Sequence, residues 1–238
     1  IRYWVRFDNG ISLGTVDRKV LATPEEWKRF LAGDEEIVST GAATSDDDGR
    51  VIPEAVDAYR AADRLDPFGF SGWIGREPHG AAKDNSGTVR DGVFAEQVVD
   101  LFGDLARGSR EDPWLAVASF VNPHDIAFAG GFYELLLGHE PGDDTVPDIP
   151  EAPSQSDSFD GRPACQEQFR GLWPQMVAPQ PADVAYRRLY YYLHKLVDQA
   201  IGRILDALDA SGMADDTVIV FTSDHGDLLG AHGGLQQK

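Results

Sequence analysis

An α/β fold, with a mostly parallel central sheet flanked by helices, is what this sequence predicts. Two observations carry the prediction. Each of two near-continuous apolar runs follows a segment with helical hydrophobic periodicity, and both runs end in polar residues able to ligate a metal. Uninterrupted apolar strands belong to sheets covered on both faces by helices. In such sheets ligands bind beyond the C-terminal ends of the strands, where these polar residues lie.

Taken in order, residues 1–20 alternate loosely (Ile1, Tyr3, Val5, Phe7) and then meet Asp8-Asn9-Gly10, a hairpin signal. A helix is expected from Pro24 to about Leu31, followed by an acidic loop at Asp46-Asp47-Asp48-Gly49. That loop lacks the alternating ligands and terminal Glu of a calcium-binding EF-hand, so it reads as a solvated turn. Thr88 to Arg107 carries apolar residues at Val89, Val93, Phe94, Val98, Leu101, Phe102 and Leu105, the stripe of a helix that Gly108 ends. The run Trp114 to Val121 then reads as a strand buried on both faces. Residues 129–180, rich in Gly, Pro, Asp and Gln, read as a long irregular segment of the kind that serves function. A second helix is expected from about Ala182 to Ala210, closed by Gly212, and a second doubly buried strand over Thr217 to Thr222.

Composition narrows the function classes. The 238 residues, 42% of them hydrophobic, suffice for one substantial core. Forty acidic residues against 21 basic ones give a net charge of −19, which argues against nucleic acid as a partner. An anionic substrate entering that field needs a local cation, either a basic side chain or a metal. No apolar run approaches the ~18 residues of a membrane span. The sequence starts at Ile1 with no basic-then-apolar leader, which leaves the compartment open; oligomeric state is open as well. The single cysteine, Cys165, excludes an internal disulfide framework and is expected to be inert.

The chemistry lies at the ends of the two apolar runs. The first ends in Asn122-Pro123-His124-Asp125 and the second in Ser223-Asp224-His225-Gly226-Asp227, with Lys238 a loop further on. Adjacent Asp and His side chains reach one cation where the chain turns sharply, and Gly226 permits such a turn. They offer a hard oxygen and a borderline nitrogen, a set compatible with several divalent metals. Asp-His pairs also occur simply as turn formers. Lys238 can bring an ammonium to a bound oxyanion.

The stretch Ala200 to Leu208, continuing through Thr217-Val218-Ile219-Val220-Phe221-Thr222-Ser223-Asp224-His225-Gly226-Asp227, closely resembles the type I sulfatases of the alkaline-phosphatase-like superfamily. Asn122-Pro123-His124-Asp125 resembles that family's Pro-His segment, and Phe68-Gly69-Phe70-Ser71-Gly72-Trp73 its Gly-Phe-x-x-Trp segment. The resemblance implies that Asp224 and His225 are the second pair of metal ligands. By the same resemblance His124 hydrogen-bonds the sulfate or the bridging oxygen, and Lys238 contacts the sulfate. Asp227 and His232 receive no role from it and read as turn formers.

Several departures matter. The family's nucleophile is a formylglycine made within a Cys/Ser-x-Pro/Ala-x-Arg motif, and Cys165, followed by Gln166-Glu167-Gln168, does not match it. The first Asp-Asp metal pair, the Gly-Lys-Trp-His segment and the small C-terminal subdomain are not found either. The expectation is therefore that residues 1–238 are an internal part of the large catalytic domain, with formylglycine supplied upstream and the fragment silent alone. The family often has Asn where His225 stands; the His instead looks like choline-sulfatase and phosphonate-monoester-hydrolase relatives, which leaves both Ca2+ and Mn2+ open as the metal. Small sulfate esters are the implied substrates. The alternatives are a phosphonate monoester or phosphodiester hydrolase of the same superfamily, and a non-catalytic binding protein on a degenerate sulfatase fold.

Of the remaining histidines, His79 and His139 read as loop residues. His194, beside Tyr190-Tyr191-Tyr192, reads as a packing or capping residue.

Overall fold

Two segments with an apolar residue at every third or fourth position, 87–107 and 184–210, fold as the long helices that their periodicity demands. The computed structural model describes residues 2–5, 52–61, 70, 74, 86–108, 113–129, 145–176 and 183–237. The elements are β1 (Arg2–Val5), α1 (Pro53–Ala61), α2 (Gly87–Arg107), β2 (Leu115–Ala118), α3 (Ala164–Met176) and α4 (Val184–Ala210). Short 3-10 turns occupy His124–Phe128 and Ala214–Asp216, and a single distorted helical turn spans Ala231–Gly234. The expected hairpin at Asp8-Asn9-Gly10, the helix from Pro24 and the acidic loop at Asp46 lie outside the described residues, as do most of the Phe68–Trp73 segment, His79 and His139.

Backbone contacts divide the chain into two compact units, one formed by Ile1–Val121 with Val197–Thr217 and the other by Asn122–Leu196 with Val218–Lys238. In the first, Phe94, Ala95, Val98 and Phe102 of α2 pack with Ala200, Ile204 and Leu208 of α4, closed by Val121 and Met213. Full burial of a side chain such as Phe94 stabilises by about 1.5–3 kcal/mol. Phe102 adds a tilted ring contact to Trp114 at 5.6 Å between centroids. Arg203 lies on the outer side of α4, 3.6 Å from Glu96 of α2. Gly212 ends α4 in the left-handed region at φ 69°, where glycine carries no Cβ penalty. Gly108 ends α2 with φ −76°, a conformation open to any residue.

β1 and β2 pair in parallel, with Arg2 opposite Leu115 and Val5 opposite Ala118. The partner of β1 is thus β2, more than a hundred residues along the chain. This parallel pair is the whole sheet among the described residues. β2 is shorter than the run Trp114 to Val121, and Leu115 is half exposed, so the strand is not covered on both faces.

The larger correction concerns Thr217 to Thr222, expected as a second doubly buried strand. It forms no strand; Val218, Val220 and Phe221 are 88%, 81% and 79% exposed. Apolar, β-branched composition shows which side chains favour burial, but a strand exists only where a neighbour accepts its backbone hydrogen bonds. The described residues provide no such neighbour there. Among the described residues, the mostly parallel central sheet of the sequence analysis is present only as its β1–β2 pair.

The irregular segment 129–180 also needs correction, because it contains α3. Within it, residue 129 and the stretch 145–176 are described. Gly171 and Pro174, both poor helix formers, fall inside this helix, so its setting reads as irregular although Cys165, Phe169, Leu172 and Met176 keep helical spacing. Pro163 precedes its first turn, and its carbonyl accepts the Gln166 N–H at 3.0 Å.

In the second unit, Tyr186, Leu189 and Leu193 of α4 pack on Ile126 and Ala129, with Leu229 at the edge. Asp183 starts α4 by accepting the Tyr186 N–H at 3.0 Å, a side-chain N-cap. Arg187, almost fully buried, donates from Nε to the Ile149 carbonyl at 2.8 Å. No helix among the described residues is long and apolar enough to cross a membrane.

Candidate functional site

The first site residue follows from how the chain leaves β2. Asp91 of α2 is buried, and its Oδ1 accepts the Val121 N–H at 2.7 Å. That bond fixes the backbone one residue before Asn122. The Asn122-Pro123 peptide is cis, and the next residues form the turn His124–Phe128. His124 is half-buried; the neighbouring Asp125 and Ile126 point inward.

His124 and His225 come together in the second unit. Their rings stand 6.5 Å apart between centroids, inclined at 55°. A hundred residues of sequence separate the two histidines, and the fold brings them face to tilted face. Asp224 is at hand because it is the adjacent residue. Its Oδ1 accepts the His225 N–H at 2.9 Å, and its Oδ2 lies 3.4 Å from His225 Nε2. The Ser223 hydroxyl donates to the His225 carbonyl at 2.6 Å, closing the turn. His225 Nδ1 is 3.0 Å from the Gly226 carbonyl. A carbonyl only accepts, so this contact places a proton on Nδ1 and directs Nε2 toward Asp224 Oδ2.

Both side chains open to solvent, Asp224 at 85% and His225 at 38% exposure. The donor chemistry, one carboxylate oxygen beside one imidazole nitrogen, suits a divalent cation. Among the described residues no three His, Cys, Asp or Glu side chains converge as a metal-holding group. Lys238 lies outside the described residues.

Past the Asp-His pair the chain enters a tight loop. Asp227 turns it, its Oδ1 accepting the Leu229 N–H at 2.7 Å. Its Oδ2 accepts the hydroxyl of Tyr186 at 3.2 Å. Tyr186 is buried, and its phenol is held well above the ordinary tyrosine pKa, first by burial and then by the negative charge of Asp227. Burial and Asp227 raise Tyr190 in the same way. Leu229 and His232 adopt positive φ, 49° and 56°, uncommon for residues with a side chain. His232 donates its backbone N–H to the Ser154 hydroxyl at 3.0 Å. The turn-forming roles read for Asp227 and His232 therefore match the geometry.

Tyr186, Ser154, Phe159, Arg162 and Arg170, which surround this loop, were not singled out by the sequence. Tyr186 sits in the apolar stripe of α4, where a phenol is hard to distinguish from core. The other four fall in the segment read as irregular. His194 packs edge-on to Tyr190 at 4.4 Å, and its Nδ1 lies 2.9 Å from the Tyr190 carbonyl, the packing role expected for it. Cys165 is a free, exposed thiol on the first turn of α3.

The family model described as Sulfatase matches residues 54–238. A choline-sulfatase of Rhizobium meliloti is 31% identical over 125 residues, covering 51% of this chain and 23% of that protein. The uncharacterized sulfatase YidJ of Escherichia coli is 28% identical over 150 residues, covering 58% of this chain and 26% of its own length. The multifunctional alkaline phosphatase superfamily protein PehA of Trinickia caryophylli is 48% identical over 46 residues, covering 19% of this chain and 9% of that protein. The first two alignments span about a quarter of the length of those relatives. No solved structure matches.

Proposed function

The chain belongs to the sulfatase family, and from that premise we propose that it carries part of the active site of a metal-dependent enzyme hydrolysing small sulfate esters. The observation that carries the reading is the meeting of His124 with the Asp224–His225 turn, at 6.5 Å between imidazoles. The fold class the family implies, α/β, is the one the sequence predicts.

In this reading Asp224 and His225 hold a divalent cation, Ca2+ or Mn2+, through one carboxylate oxygen and Nε2. When bound, such a cation acts as a Lewis acid toward the ester oxygens. The Nδ1 contact to Gly226 holds the His225 ring with Nε2 turned toward Asp224, so that both donors face the same cation. His124, its ring 6.5 Å from that of His225, donates a hydrogen bond to the sulfate or to the bridging oxygen. As the S–O bond breaks, negative charge builds on the leaving oxygen, and an imidazolium there delivers the proton it needs. Lys238 neutralises the non-bridging sulfate oxygens. A cationic contact of this kind offsets the field of a chain with net charge −19. The nucleophile in this account is a formylglycine, which Cys165 does not supply, because Gln166-Glu167-Gln168 lacks the required motif.

A second reading, hydrolysis of phosphonate monoesters or phosphodiesters, draws on the relative named as a multifunctional alkaline phosphatase superfamily protein. It draws also on His225 standing where Asn is frequent. The test is turnover of p-nitrophenyl sulfate and a phosphonate monoester in parallel by the full-length gene product, supplied with Ca2+ or Mn2+. Faster release from the sulfate supports the sulfatase, faster release from the phosphonate supports the second reading, and no release from either, with no metal retained, rejects both.

A further inference from the structure

We propose that the segment from Ser154 to Arg170 is a clamp that fixes the backbone of the loop Gly230–Gln237, and that Arg170 is a positioning residue for the anion-binding end of the site. The inference rests on the sulfatase reading in one respect: that this loop, which leads to Lys238, borders the sulfate.

The loop needs an outside hold. Its base is closed by Leu228 N–H to the Gln237 carbonyl at 2.8 Å and Gly230 N–H to the Leu235 carbonyl at 2.7 Å. Between those ends Gly230, His232, Gly233 and Gly234 all take positive φ, at 89°, 56°, 89° and 86°. The Gly234 and Leu235 N–H groups bond back within the loop, to the Gly230 and Ala231 carbonyls at 3.0 Å, but His232 and Gly233 leave helical φ/ψ and their peptide groups must find partners elsewhere.

For His232 and Gly233 those partners come from the clamp. His232 N–H donates to the Ser154 hydroxyl at 3.0 Å, and Gly233 N–H to the Ser154 carbonyl at 2.9 Å. The His232 carbonyl accepts from Arg162 at 3.2 Å, and the Gly233 carbonyl from Arg170 at 3.0 Å. Both N–H groups and both carbonyls of this dipeptide are therefore satisfied from one segment.

Phe159 sets the closeness of approach. A Cβ on Gly233 would stand 2.6 Å from the Phe159 ring and 2.7 Å from the Asp157 carbonyl, so only glycine fits. The Arg170 guanidinium lies over the same ring at 4.5 Å and that of Arg162 at 5.7 Å. Arg162 is itself anchored to Asp157 at 2.8 Å. The Asp224–His225 turn is held differently, by the short-range bonds of Ser223 and Asp224. Loosening the clamp should therefore disturb anion binding far more than metal binding.

The test uses Arg170→Met and Ser154→Ala in the full-length protein. Arg170 is 44% exposed, so its replacement is expected to leave the fold intact, which the unfolding temperature of the variant checks. Hydrogen exchange of the His232 and Gly233 amides, binding of inorganic sulfate and binding of Mn2+ are measured in each. The expected result is loss of exchange protection in both variants and sulfate binding weakened about tenfold in Arg170→Met, as for one charge-assisted hydrogen bond, with Mn2+ affinity within about twofold of wild type. Unchanged protection overturns the clamp. Sulfate and Mn2+ affinities falling together, or neither falling, overturns the positioning role and leaves the contacts merely structural. Failure of the wild type to hydrolyse a sulfate ester, with the exchange and sulfate-binding results as expected, rejects the sulfatase reading and not the clamp.

Discussion

Replacing Tyr186 by Phe removes one oxygen from a buried site and should change the pH dependence of stability as well as its size. The hydroxyl donates to Asp227 Oδ2 at 3.2 Å, long for an O–H···O bond, so the loss lies at the low end of the range for bonds to charged groups, about 1.5 kcal/mol at pH 7. The native state raises the Tyr186 pKa by burial first and the Asp227 charge second, so the folded protein keeps the phenolic proton where the unfolded chain releases it. Stability from this group is fully present below the unfolded pKa of about 10 and is lost as pH rises toward the folded value. By pH 11 the wild type should have lost about 1.4 kcal/mol through Tyr186 alone, while the variant has no such group to lose. Tyr190 titrates in the same direction and remains in both proteins. Urea unfolding followed by circular dichroism at pH 7 and pH 11 should thus show a gap between the two proteins that nearly closes at the higher pH. A gap of constant size would refute the burial and charge argument for Tyr186, and with it the link between α4 and the Asp227 turn.

Three further outcomes follow from the same contacts. Asp91→Ala should lower stability by about 1.5–3 kcal/mol, measured by thermal unfolding, because it leaves the buried Val121 N–H without its 2.7 Å acceptor. Leu193→Ala, at a fully buried position, should cost about 2–5 kcal/mol in denaturant unfolding, whereas Leu205→Ala, at 38% exposure, should cost clearly less. Gly212→Ala should destabilise by about 1–2 kcal/mol, since φ 69° places a Cβ in the left-handed region, and Gly212→Asn should recover part of the loss.

What could be read from the sequence follows what local pattern can encode. The helices α2 and α4 show a 3.6-residue apolar stripe, and their bounds differ from expectation by only a residue or two. The order of β2 before His124, and of α4 before Asp224, also follows from the chain itself. The Thr217 to Thr222 segment shows the limit of pattern: its side chains are those of an interior strand, yet strand structure belongs to a pair of strands and not to one. α3 was hidden for a different reason: its stripe at Cys165, Phe169, Leu172 and Met176 is interrupted by Gly171 and Pro174, which signal a loop to local pattern.

At the site, His124, Asp224 and His225 stand out by residue type and by position at the ends of apolar runs. That His124 and His225 meet at 6.5 Å is a tertiary fact with no local signature. The clamp is further from reach. Ser154, Phe159, Arg162 and Arg170 act mainly on backbone groups of His232 and Gly233, and backbone hydrogen bonding leaves almost no trace in side-chain pattern.

The central claim, that Asp224 and His124 serve one metal-dependent reaction, is tested most directly by sulfate release from p-nitrophenyl sulfate in Asp224→Ala and His124→Ala variants of the full-length protein. Asp224 is 85% exposed, so its removal should leave the unfolding temperature close to wild type. The account predicts that both variants lose at least about a hundredfold in kcat/KM, as removal of a general acid or of a charge-stabilising group does, and that Asp224→Ala alone also loses Mn2+ affinity. Wild-type turnover in either variant, or Mn2+ binding unchanged in Asp224→Ala, would contradict it.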